Sequence, residues 1–127
     1  MTKNITVTVG IYDVIKDTIR RKKVSKKVEE RLTEELKNAS QVRRKELPEN
    51  TVTVNRKVTI LDHNSKEEKE YIFVSTTKAK PRKNKYSIIS DIALATVGRS
   101  VGDVIEWPFD DGDKTIEIVK VEPFELN

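Results

Sequence analysis

The stretch "RRKKVSKKVEE", Arg20 to Glu30, places six basic side chains in eight positions: Arg20, Arg21, Lys22, Lys23, Lys26 and Lys27. Ammonium and guanidinium groups at that density attract phosphates or carboxylates through salt-sensitive, sequence-independent contacts. They are equally the mark of a solvated bend between two helices, and both readings stand at this point. No aromatic residue lies nearby to stack a base, which argues against recognition of a single strand. Carboxylates that could share an ion are also missing there. Glu29 and Glu30 are neighbours, and adjacent helical positions point about 100° apart, so the pair does not face one way. "DDGD", Asp110 to Asp113, lacks the spacing and terminal glutamate of a calcium loop and reads as a hairpin turn. His63 is the only histidine; it has no candidate catalytic partner in the sequence and is expected at a surface turn. The residues therefore suggest no catalytic group, no metal site and no cofactor.

The chain that must position these groups has 127 residues, enough for one domain with a modest core or a small domain with a helical appendage. Cysteine is absent, so disulfides and thiolate metal sites are excluded. With no apolar run of membrane length and no signal-like start, a cytoplasmic location is expected and a membrane partner is not. Charge is uneven. Met1 to Asn50 holds 13 Lys and Arg against 8 Asp and Glu, whereas Thr51 to Asn127 holds 12 against 13. The positive field belongs to the first third and favours an acidic partner, either nucleic acid or a negatively charged protein groove.

Apolar residues at Ile11, Tyr12, Ile15 and Ile19 recur at helical spacing from Thr8, a plausible N-cap, to about Lys22. Ser25 opens a second helix whose stripe is Val28, Leu32, Leu36 and Ala39. Two helices joined by a tight bend predict an antiparallel hairpin, a coiled-coil arm that projects on the order of 25 Å at about 1.5 Å per residue. Pro48 closes this region.

Beyond it the period drops to two. "TVTVNRKVTIL", with Val52, Val54, Val58 and Ile60, and "KEYIFVSTT", with Tyr71 and Phe73, predict two strands joined at "DHNSKEEK". "KAKPRKNKY" reads as a loop. "SIISDIALATVGRSVGDVIEWPF" predicts strand, one short helix over 92–97 capped by Ser90 or Asp91 and ended by Gly98, then strand again after a Gly102-Asp103 turn. "KTIEIVKVE" is the last strand. Trp107 and Phe73 are expected in the core.

Ser87-Ile88-Ile89-Ser90, Ile92-Ala93, Gly98-Arg99, Val101-Gly102-Asp103 and "IEIVKVE" together resemble the C-terminal domain of the GreA/GreB transcript cleavage factors. "LPENTVTVNRKVTILDHNSKEEKEY" is similar to the matching region of Rnk, the regulator of nucleoside diphosphate kinase, a short-armed group of that family. The resemblance implies an α+β chain: a short N-terminal antiparallel helical hairpin over 1–46, followed by an FKBP-like antiparallel β-sheet domain with one short helix over 47–127. It further implies docking at the mouth of the RNA polymerase secondary channel, with Ser87, Ile88, Ile89, Ser90, Asp91 and Ile92 nearest the docking surface. The family's proline after the second serine is Asp91 here, on that same surface.

In the cleavage factors, the resemblance implies, a long arm carries paired carboxylates to the polymerase centre, where they help to hold a second Mg²⁺ for phosphodiester hydrolysis. Here bases stand where those acids would be. The expected function is thus a non-enzymatic polymerase-binding regulator that competes with Gre-type factors without stimulating cleavage. The alternative is a basic module that binds DNA or RNA through the bend independently of polymerase. Prolyl isomerase activity, which FKBP-like folds include, is not expected, because the seven aromatics are scattered: Tyr12, Tyr71, Phe73, Tyr86, Trp107, Phe109 and Phe124.

Overall fold

A computed structural model describes residues 4–124 and divides the chain into two compact units, Met1–Leu47 and Pro48–Asn127. Among the described residues, three α-helices and seven strands make an α+β protein.

The first unit begins with β1 (Thr6–Thr8), which runs directly into α1 (Val9–Arg20). Thr8 is both the last residue of the strand and the N-cap of the helix; its hydroxyl accepts from Ile11 N at 3.3 Å. Ser25 caps α2 (Lys26–Lys37) in the same way, accepting from Val28 N at 3.3 Å. Each helix has 12 residues and is therefore about 18 Å long, shorter than the projection expected from the sequence. Their seam buries Ile11, Ile15, Val28, Leu32 and Leu36. Thr18 joins that seam in place of Ile19, with its hydroxyl donated to the Val14 carbonyl at 2.8 Å.

The bend closes on Lys22, whose φ of 55° is left-handed. Lys22 N donates to Ile19 O at 3.0 Å and Lys23 N to Thr18 O at 3.2 Å, the paired bonds of a helix C-terminal cap in which glycine is the usual residue. After α2 the chain reverses at Asn38 and Ala39 and forms β2 (Ser40–Val42). This strand pairs parallel with β1, Val7 opposite Gln41. Strands of three residues carry no readable period, and this pair was not foreseen.

The second unit is a five-stranded sheet with spatial order β5-β4-β3-β7-β6. Its strands are β3 (Arg56–Asp62), β4 (Glu67–Val74), β5 (Lys85–Ser87), β6 (Val104–Phe109) and β7 (Gly112–Pro123). All neighbours are antiparallel except β5, which adds to the edge of β4 in parallel. One short helix, α3 (Asp91–Thr96), lies between β5 and β6. Trp107, Phe73, Val58, Ile118 and Leu94 are buried at the centre.

Two expectations are corrected. Val52 and Val54 do not extend β3, because Asn55 adopts a left-handed φ of 62° and turns the chain just before the strand. Val52 instead exchanges backbone hydrogen bonds with the exit of α3: Val52 N donates to Arg99 O at 2.8 Å, and Gly98 N donates to Val52 O at 3.0 Å. Buried Arg56 secures the same segment by donating to the carbonyls of Pro48 and Thr51 at 2.7 and 2.6 Å. In addition, "KAKPRKNKY" is not a bare loop. It holds the one-turn helix Pro81–Lys83, a left-handed Asn84 and the start of β5. No helix of the described residues is long and apolar enough to cross a membrane.

Candidate docking surface

The segment from Ser87 to Ile92 is a turn that two serines hold closed. Ser87 ends β5, and its hydroxyl accepts from Ile89 N at 3.2 Å and lies 2.7 Å from Thr76 Oγ1. Ser90 donates both its amide, at 2.9 Å, and its hydroxyl, at 2.7 Å, to the Ser87 carbonyl. Ser90 thus occupies the N-cap position of α3 but makes no capping hydrogen bond, so the expected side-chain cap is absent. The helix starts one residue earlier than expected, at Asp91. Ile88 is buried, and its amide is tied to the Val74 carbonyl at 2.8 Å.

Three of the six singled-out residues, Ser90, Asp91 and Ile92, line a groove of about 330 Å³, while Ser87, Ile88 and Ile89 form the turn that presents them. The apolar floor is completed by Ile60, Tyr71, Phe109 and Ile116. Charged side chains of both signs, among them Asp62, Lys69 and Lys114, share the rim. The β-strand residues of this groove were not picked out from sequence. The available cue was that Lys69 and Tyr71 alternate on β4 toward one face, but which hairpins meet α3 depends on the strand order.

The aromatics are less scattered in space than in sequence. Tyr71 stacks on Phe73 with ring centroids 6.0 Å apart and tilts against Tyr86 at 5.2 Å. Burial, aided by the charge of Tyr86 and Asp62, pushes the Tyr71 phenol above its ordinary value. Partial burial also pushes the Asp91 carboxyl up, and the negative charges of Asp110 and Asp111 add to it. Those two aspartates form the two-residue turn between β6 and β7, as the hairpin reading of "DDGD" expected. Asp111 is itself held below the usual carboxylate range by the Lys114 ammonium, 3.0 Å away. His63 lies in the turn between β3 and β4, and its Nε2 meets Glu117 Oε1 at 2.9 Å, a partner 54 positions away that sequence spacing does not reveal.

At the hairpin bend the six bases divide into two sets. Arg20 and Arg21 both turn back onto Asp17, Arg21 at 3.0 Å, and the Arg20 hydrogen bond is the main reason Asp17 is held below the usual carboxylate range. Lys22 reaches across the bend to Glu29 Oε1 at 2.8 Å. Lys23, Lys26 and Lys27 are exposed, and among the described residues no acid lies within ion-pair distance of them. Six bases thus face two acids, Asp17 and Glu29, which leaves a net +4 at the bend, three of it on the lysines that have no acid beside them. No group of three or more His, Cys, Asp or Glu among the described residues is placed to hold a metal ion.

The family described as "Transcription elongation factor, GreA/GreB, C-term" matches residues 47–123. Transcription elongation factor GreA of Clostridium botulinum strain Langeland is 41% identical over 86 residues, which is 68% of this chain and 54% of that protein. GreA of the Eklund 17B strain is 37% identical over 91 residues, 72% of this chain and 57% of that one. The chain therefore spans about half the length of the curated relatives it matches. Among solved structures, a prokaryotic transcription elongation factor GreA/GreB from Nitrosomonas europaea superposes with a TM-score of 0.68 at 26% identity, covering 95% of this chain and 99% of that chain. Thermus aquaticus Gfh1 shares the fold, with a TM-score of 0.52 at 15% identity over 95% of this chain and 99% of that one.

Proposed function

The chain belongs to the GreA/GreB family, and on that premise we propose that it is a polymerase-binding regulator that occupies the Gre site at the secondary channel without stimulating transcript cleavage. The turn from Ser87 to Ile92 and the groove beside α3 serve as the docking face, with Asp91 at its edge. The hairpin is offered to the channel, and the exposed Lys23, Lys26 and Lys27 add salt-sensitive attraction to acidic protein or to phosphates.

The observation that carries this reading is the chemistry of the bend. Stimulating hydrolysis requires oxygen ligands that help to place a second Mg²⁺ beside the scissile phosphate. The bend presents ammonium and guanidinium groups, and of the carboxylates beside it Asp17 is held by Arg20 and Arg21 and Glu29 by Lys22. Two 12-residue helices, each about 18 Å long, also give little reach. A protein of this kind acts by occupancy. It is no enzyme, needs no cofactor and works in the cytoplasm.

The test is a competition on stalled elongation complexes. The protein is expected to displace a GreA-type factor while transcripts keep their length. Shortened transcripts would overturn the reading of the bend, and no association with core polymerase even in dilute buffer would overturn the reading as a whole. The independent nucleic-acid module predicts the reverse ranking: tight, steeply salt-dependent binding to naked DNA or RNA and little to polymerase. The groove's charged rim does not suit an apolar proline ring, so a proline-peptide isomerisation assay is expected to show no acceleration.

A further inference from the structure

On one side of the hairpin, α1 and α2 leave a groove of about 320 Å³ between them. It exists because the sequence supplies α1 with more apolar surface than the hairpin seam consumes. The seam takes Ile11, Ile15 and Thr18, all buried, which leaves Tyr12 and Ile19 on the neighbouring face, half-buried and lining the groove. Tyr12, Lys16 and Ile19 follow one another at helical spacings of four and three, so they share a face about two turns, or about 10 Å, long. Leu36 of α2 completes the apolar floor.

The rim has one sign. Lys16, Arg20 and Lys37 line the groove, and no acidic side chain does. Arg20 already shares Asp17 with Arg21. Lys37 is 3.8 Å from Glu34 in a solvent-exposed pair, which contributes little. The Lys16 ammonium lies 5.7 Å from the centroid of the Tyr12 ring, and among the described residues no acid pairs with it. An apolar floor two turns long with a cationic rim is complementary to a helix that carries aliphatic anchors on one face and carboxylates beside them.

We propose that this groove docks an acidic amphipathic helix of a partner protein, with aliphatic side chains seated on Tyr12, Ile19 and Leu36 and with Asp or Glu meeting Lys16 and Lys37. A nucleic-acid strand is the poorer match, because base stacking needs successive aromatic faces and the floor offers one ring, Tyr12. The proposal does not depend on the polymerase reading, since it uses only the two helices.

The experiment titrates the full chain, labelled with nitrogen-15, with three probes. The first is a synthetic helix of about 14 residues, about four turns, bearing Leu at spacings of three and four and Glu on its flanks. The second is the same peptide with Lys for Glu, and the third is a thymidine oligonucleotide. The acidic peptide is expected to shift the amides of Tyr12, Ile19, Thr33 and Leu36 saturably. The pair Lys16→Glu and Lys37→Glu should weaken that binding at least about tenfold, or ~1.4 kcal/mol, and the pair Lys16→Gln and Lys37→Gln by less. Both positions are exposed, so helical circular dichroism is expected to persist. If the charge reversal disturbs it, the glutamine pair alone decides. The proposal is overturned if the acidic peptide leaves those amides unmoved, if the basic peptide binds equally well, or if the oligonucleotide takes the same amides more tightly.

Discussion

The hairpin unit carries 20 charged residues in 47 and the sheet unit 26 in 80, so charge is denser in the hairpin unit, while the sheet unit has the larger core in absolute terms. Among the described residues, eight apolar side chains are buried in the hairpin unit and fifteen in the sheet unit. The sheet can therefore lose a contact and still hold its strand ladder, whereas the hairpin relies on a single seam, two caps and a three-residue strand pair. This difference suggests a division of labour. The unit with the larger core carries the groove beside α3, and the bend of the hairpin unit presents charge, which tolerates imprecision because Coulomb forces fall off slowly with distance.

Core truncations test that contrast most severely. Trp107→Ala is expected to cost about 3–5 kcal/mol and Leu32→Ala about 2–5 kcal/mol. Hydrogen exchange should separate them: Leu32→Ala strips protection from α1 and α2 while β3 and β7 keep theirs. Loss of protection in both units together would break the two-unit picture. Next in size is the proposed polymerase binding. Ile92→Glu in the groove should weaken it about tenfold or more, ~1.4 kcal/mol. Replacing Lys23, Lys26 and Lys27 by Gln should weaken it less and mainly flatten its dependence on salt. The opposite ranking would place the affinity in the hairpin.

The caps come third. Thr8→Ala and Ser25→Ala should each lower stability by about 0.5–2 kcal/mol, with Thr8 the larger because it also ends β1, as urea midpoints would report. The smallest effect concerns Asp91. Its carboxyl titrates above the ordinary value in the folded chain, so the native state holds that proton more firmly than the unfolded chain does. Stability therefore falls as pH rises through the carboxylate range. Asp91→Asn should be more stable than the parent above that range, and the gap should close below it; melting temperatures across pH would show a reversed gap if the sign were wrong.

Sequence periodicity made both helices, the bend, β3, β4, β6, β7 and α3 legible, because each is long enough to repeat its pattern or is bounded by a capping or turn residue. What escaped was either too short to have a period, as with β1 and β2, or depended on partners far along the chain, as with His63 and Glu117; β5 was expected from Ser87 and in fact ends there. The alternation of Val52 and Val54 misled because a left-handed Asn55 separates them from the strand they would otherwise extend. The singled-out turn at Ser87 to Ile92 was visible as residues, but the groove it borders was not, since four of its walls come from strands whose spatial order follows only from folding.

The parallel pairing of β1 with β2 has a consequence for how such arms vary in length. Because the root is fastened by its own small clasp, with Val7 opposite Gln41, matched insertions in the two helices leave the fastening untouched. Seven residues added to each would extend the prong by about 10 Å with the heptad phase preserved. The arm behaves as a telescoping part on a fixed collar, so a stubby member and a far-reaching one need differ only in the middle of the rod.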